Sequence, residues 1–174
     1  MFDYAMLPKS LQWLDIHKNA ITGLENYFSS VNGNNLNEEE RIIDYLDASF
    51  NSIKELGPQN VPNTIETLIL NDNKITTVVP YTFFKKKGLK KVDLTLNKME
   101  TIDRNAIRLS SDMETSTTQS TPTTFLLGGN PIRCDCHMAW FKSINSGINS
   151  VQNYPKIADL ESIYCQLLHS KKST

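Results

Sequence analysis

Apolar residues recur along the chain at a spacing that is neither helical nor simply alternating. From Leu11, the run LQWLDIHKNAITGL places Leu11, Leu14, Ile16, Ile21 and Leu24 around Asn19. The same spacing returns from Ile43 in IDYLDASFNSIKEL, with Leu46, Ala48, Asn51, Ile53 and Leu56. It returns from Ile65 in IETLILNDNKITTV (Leu68, Leu70, Asn73, Ile75, Val78) and from Leu89 in LKKVDLTLNKMETI (Val92, Leu94, Asn97, Met99, Ile102). A shorter copy, PTTFLLGGNPI, carries Phe125, Leu127, Asn130 and Ile132. A step of two, as from Leu14 to Ile16, puts both side chains on one face of a short strand. The wider steps bring the later aliphatic residues inward from the turn that follows. Amphipathic helices are the competing reading, but steps of three then two do not follow a helical stripe, and the β-branched residues favour strand.

The repeated consensus, L-x-x-L-x-L-x-x-N-x-L-x-x-L, is the leucine-rich repeat pattern. One such coil cannot bury its own apolar residues, whereas stacked coils form a continuous core. The expected architecture is an α/β solenoid: a right-handed leucine-rich repeat coil with a parallel β-sheet on its concave face. About five coils are expected over residues 1–132, with a C-terminal cap over 133–174. The first coil is expected to leave Leu11, Leu14 and Ile16 near an open edge of the core. Asparagine spacing is uneven, 32, 22, 24 and 33 residues from Asn19 to Asn130, so two repeats carry extra chain. The polar stretches 30–41 and 110–124 account for it as exposed loops. The second is rich in Ser and Thr, so O-glycans on a secreted chain are one reading and a plain flexible loop the other.

Asn19, Asn51, Asn73, Asn97 and Asn130 form the polar column of the repeat. Tight turns leave backbone N–H and C=O groups that must be paired. A carboxamide both donates and accepts, so a ladder of asparagines can pair them, where an ionised aspartate could only accept. Outward strand positions form three further columns. The middle one reads Asp15, Asp47, Ile69, Asp93, flanked by Trp13, Tyr45, Thr67, Lys91 and by His17, Ser49, Asn71, Thr95. Exposed aromatic residues beside acids are plausible contact material, which makes Trp13, Asp15, Tyr45, Asp47 and Asp93 the candidate partner surface. A merely solvated face, with aspartates that discourage strand-edge aggregation, is the competing reading.

Composition narrows the function. The 174 residues carry a net charge of −1, so no basic excess is available to neutralise nucleic-acid phosphates. No run of about 20 apolar residues is present to span a membrane, and the first residues lack signal-peptide character. No nucleophile–base arrangement is evident; His17 and His169 stand apart from other candidates, and neither catalysis nor a cofactor is expected. Glu38, Glu39 and Glu40 read as a solvated loop. Lys85, Lys86, Lys87, Lys90 and Lys91 read as a solvated turn, with contact to an acidic partner as the alternative. The close spacing of Cys134, Cys136 and His137 does not suit tetrahedral zinc, so no metal site is expected. No Asn-x-Ser/Thr triplet occurs.

The segment NPIRCDCHMAWFKSI, followed later by Cys165, resembles the cysteine cap that closes leucine-rich repeat ectodomains. Met138, Trp140, Phe141 and Ile144 would form its short covering helix. In that family the first cysteine pairs with the third and the second with the fourth. The resemblance therefore implies a Cys134–Cys165 disulfide, a partial cap, and an unpaired thiol at Cys136 whose partner would lie beyond Thr174. With LPKSLQWLDIHKNAITGL, VPNTIETLILNDNKIT and YTFFKKKGLKKVDLTLNKMETID, the chain resembles the ectodomains of arthropod Toll receptors. That resemblance implies a cell-surface receptor acting in innate immune or developmental signalling. Its partners would be an extracellular protein ligand or another leucine-rich repeat receptor, with the membrane reached only through a parent span. The free thiol and open end also suggest a homodimer. A secreted or adhesive leucine-rich repeat protein, or a decoy, is the alternative.

Overall fold

A computed structural model describes residues 1–4, 7–24, 42–110, 122–133, 140–141, 144 and 153–163. Six short strands form one parallel sheet in which spatial order follows chain order. They are β1 (Trp13–Asp15), β2 (Tyr45–Asp47), β4 (Thr67–Ile69), β6 (Lys91–Asp93), β7 (Thr124–Leu126) and β8 (Lys156–Ile157). The two remaining strands, β3 (Glu55–Leu56) and β5 (Thr77–Val78), pair as a second parallel sheet on the return arc of the coils. Consecutive strands of the main sheet are parallel and in register, as a helical stacking of coils requires.

Each three-residue strand buries its middle residue and turns its flanks outward. Leu14, Leu46, Leu68, Val92 and Phe125 therefore stack as one column of the core. Ala48, Leu70, Leu94 and Leu127 form the next, and Ile53, Ile75, Met99 and Ile132 the one after. Every aliphatic side chain sealed this way contributes about 1.5–3 kcal/mol before chain entropy is subtracted. Phe83 closes the back of the core against Phe125, edge to face at 4.9 Å between ring centroids.

Two features depart from the sequence expectation at the ends of the stack. Leu14 is buried, and Leu11 and Ile16 are only half-exposed. Phe2 pairs in parallel with Leu24, repeating the relationship of Leu56 to Val78, and its N–H donates to Gly23 O at 2.9 Å. Tyr4 is buried, and its hydroxyl donates to Asn60 O at 3.0 Å. Met1–Tyr4 thus lie where the return arc of a further coil would lie and cover part of the edge expected to be open. At the other end, β8 comes from the region expected to be cap and adds a sixth strand beside β7.

The described residues contain no α-helix, only 3-10 turns such as Pro58–Asn60 and Leu160–Ser162. Phe141 is buried in the core and Trp140 and Ile144 pack partly buried against it, whereas Met138 lies outside the described residues. No helix is long and apolar enough to cross a membrane among the described residues. Both inserted loops fall wholly or largely outside them, as do Cys134, Cys136, Cys165, His137, His169 and Glu38–Glu40.

Candidate recognition face

The asparagines of the repeat do the same thing four times. Asn51 Oδ1 accepts the Ile21 N–H at 3.0 Å, while its Nδ2 donates to Ile16 O and Ala48 O. Asn73 accepts from Ile53 at 3.0 Å and donates to Ala48 O and Leu70 O. Asn97 accepts from Ile75 at 2.9 Å and donates to Leu70 O and Leu94 O. Asn130 accepts from Met99 at 3.2 Å and donates to Leu94 O and Leu127 O. Each carboxamide therefore ties its own turn to the coil before it, and all four are buried. Asn19 bonds only Ile16 O and His17 O of its own coil, and it is exposed. No described coil stands before it to supply the N–H.

The residue before each ladder asparagine has a left-handed backbone: Lys18, Phe50, Asp72 and Leu96 at φ 52–54°, and Gly129 at 75°. A side chain in that region costs roughly 1–2 kcal/mol. The turn that aims the carboxamide inward imposes it regardless of residue type. This geometry leaves Phe50 and Leu96 about half exposed, and the Lys18 ammonium lies 5.5 Å from the Phe50 ring centroid.

On the outer face of the sheet, the register aligns Trp13, Tyr45, Thr67, Lys91, Thr124 and Lys156 in one row. Asp15, Asp47, Ile69, Asp93 and Leu126 form the row beside it. Trp13 is 63% exposed, and its ring meets Tyr45 edge-on at 5.3 Å. The three aspartates also fold back on their own backbone, because Asp15, Asp47 and Asp93 Oδ1 accept the N–H of His17, Ser49 and Thr95 at 2.9–3.0 Å. This is an Asx turn, and it gives these residues a local structural role that periodicity alone did not reveal.

His17 does not stand apart, contrary to the sequence reading. Its Nδ1 lies 2.5 Å from Asp15 Oδ1, and parallel pairing brings Asp47 from the next coil alongside. Donor atoms of Asp15, His17 and Asp47 all lie within 4.8 Å of one another. The His17 backbone N–H, and then its ring, hold the Asp15 carboxyl below its ordinary pKa.

Lys86 also departs from expectation. It is buried rather than solvated, and its Nζ donates to Pro58 O at 3.1 Å and Asn63 Oδ1 at 2.9 Å. The turn Tyr81–Lys86 folds the lysine stem under the back of the coil. Lys85, Lys87, Lys90 and Lys91 remain exposed, and Lys90 pairs with Glu66 at 2.5 Å.

Stacked in-register strands, inward aliphatic columns and a buried carboxamide ladder define a leucine-rich repeat solenoid. Within that class, the chain's repeats belong to the Toll receptor family. The chain is 39% identical to Toll-like receptor 7 of Drosophila melanogaster over 170 residues, 98% of its own length and 11% of the receptor's. Rat lumican is 33% identical over 125 residues, covering 62% of the chain and 37% of lumican. Human leucine-rich repeat and fibronectin type III domain-containing protein 1 is 29% identical over 104 residues, covering 59% of the chain and 13% of that protein. The chain thus spans well under half the length of each of these relatives. No family model matches it.

Proposed function

We propose that the chain is a protein-recognition module of a Toll-type cell-surface receptor and that its partner docks on the outer face of the six-stranded sheet. The observation that carries this reading is the face itself. Its rows are outward, in register and spaced by one strand, and it presents an exposed Trp13 packed on the half-buried Tyr45, beside Asp15 and Asp47. Aromatic residues with low side-chain entropy, set among charges, are the usual centre of a protein contact. The partner is an extracellular protein or another leucine-rich repeat ectodomain, and the parent receptor acts in immune or developmental signalling. The implied Cys134–Cys165 disulfide would close the end of the stack.

The test is pairwise binding of the secreted chain against a panel of secreted and cell-surface ectodomains, with two opposed variants. Thr67→Arg and Asn71→Arg crowd the middle of the outer face, whereas Thr76→Arg alters the return arc. Partner binding lost with the first pair and kept with the last supports the proposal. Binding that survives Thr67→Arg and Asn71→Arg overturns it.

A further inference from the structure

The corner of the outer face formed by β1 and β2 has a chemistry of its own. Trp13 and Tyr45 are cross-strand neighbours, and so are Asp15 and Asp47. Two rings and two carboxylates therefore occupy a patch one strand spacing wide, ~4.8 Å. Each carboxylate commits Oδ1 to a backbone N–H, and Asp15 Oδ1 also meets His17. Their Oδ2 atoms take part in none of these bonds. The nearer of the two cations in the aromatic row, Lys91, lies two strands beyond Tyr45. Lys18 is drawn to the Phe50 ring instead.

We propose that this corner receives a guanidinium group, an arginine side chain of the protein partner. The proposal rests on the outer face being the docking surface. A planar cation can stack on an aromatic face while its N–H fork reaches carboxylate oxygens, which a point-like ammonium does less well. Charge complementarity sets the occupant: two carboxylates side by side disfavour an acidic or purely apolar segment, and the exposed Trp13 ring disfavours a fully hydrated one. His17 sits at the rim, with its Nδ1 against Asp15 Oδ1.

The full chain can be titrated with the peptide Gly-Arg-Gly-Arg-Gly while the Trp13 indole N–H is followed by NMR, with the Trp140 indole as internal reference. The peptide in which citrulline replaces arginine keeps the shape without the charge. The expected result is a saturable Trp13 shift with the arginine peptide and little with citrulline. Asp15→Asn with Asp47→Asn should weaken binding about three- to tenfold, as expected for exposed charge contacts. These amides keep an acceptor for the Asx turns, and Asp93→Asn, two strands from Asp47, should leave binding unchanged. Equal binding of both peptides, no effect of the double variant, or a Zn²⁺ ion held by Asp15, His17 and Asp47 that shuts the peptide out overturns the proposal. If a protein partner still needs Thr67 and Asn71 while the arginine peptide fails, recognition by this face stands and only the guanidinium assignment falls.

Discussion

Asp159 Oδ2 accepts the Gly128 N–H at 2.6 Å, and the same carboxylate accepts the Leu127 N–H at 2.9 and 3.0 Å. In the coils before it, those two backbone positions are satisfied differently. Ile16, Ala48, Leu70 and Leu94 donate to a carbonyl of the next coil, and His17, Ser49 and Thr95 donate to the aspartate two residues back. In the last repeat, Leu126 stands where that aspartate would be. One carboxylate from the segment after β8 replaces both partners. Gly128 belongs to the same arrangement: a Cβ there would lie 2.8 Å from Asp159 Oδ2 and 3.0 Å from Ser162 Cβ.

Asp159→Ala should therefore loosen the end of the stack. Losing a charged acceptor from two backbone donors costs roughly 1.5–3 kcal/mol. Denaturant unfolding measures the loss, and hydrogen exchange locates it at Leu127 and Gly128. Protection at Leu46 and Leu68 should change only as much as global stability does. An unaltered midpoint and unaltered exchange at Gly128 would mean that the carboxylate is dispensable.

Gly129 tests the left-handed turn before the ladder. Its φ is +75°, and a Cβ there would come within 2.5 Å of Leu96 Cδ2. Gly129→Ala combines backbone strain of ~1–2 kcal/mol with that contact. Leu96→Gly removes the contacting side chain from a position already left-handed and half-exposed. The double variant should recover part of the loss, a coupling that a thermodynamic cycle reads directly. Strictly additive single effects would show that the two residues do not meet in solution.

The ladder predicts unequal effects of one substitution. Asn73→Asp keeps an acceptor for Ile53 N–H but loses the donor to Ala48 O and Leu70 O, replacing an amide with a carboxylate among carbonyls. Leaving those buried groups without a donor should cost roughly 1–3 kcal/mol. Asn19→Asp loses only exposed bonds within its own turn and should cost clearly less. Equal shifts in midpoint for the two variants would argue against a ladder that binds coil to coil.

What could be read from the sequence follows from what repeats. Leu14, Leu46, Leu68 and Val92 recur with their asparagines at constant offsets, so strand, core column and sheet order were all legible. Features that occur once were not. Asp159 has no counterpart in earlier repeats, and the pairing of Phe2 with Leu24 is hidden because only part of a coil surrounds it. Lys86 looked like one of a solvated run because burial of a lysine stem depends on where its ammonium finds Pro58 O and Asn63. The outer face was half legible: alternation placed Asp15, Asp47 and Asp93 outward, but the turn each makes with its own backbone depends on dihedral angles that a pattern of apolar residues does not encode. His17 gained its neighbour Asp47 only through the register between coils that are 32 residues apart at their asparagines.

The titration of Asp15 separates the two roles of its carboxylate. Its folded pKa is lowered first by the His17 backbone N–H and then by the His17 ring. A depressed carboxyl pKa contributes stability above the unfolded-state value, and that contribution is lost as pH falls through the folded value. The window therefore lies at and below the ordinary carboxylate range, on the acid side of stability. His17→Ala deletes the ring and keeps the N–H. The Asp15 carboxyl, followed by carbon-detected NMR, should move up only part of the way and still titrate below an unstructured aspartate. A full return to the ordinary value would mean that the ring supplies the whole effect and that the Asx turn is not formed in solution. Retention of the depressed value with no movement would mean that the ring does not touch Asp15, leaving both carboxylates of the β1–β2 corner free for a partner's cation.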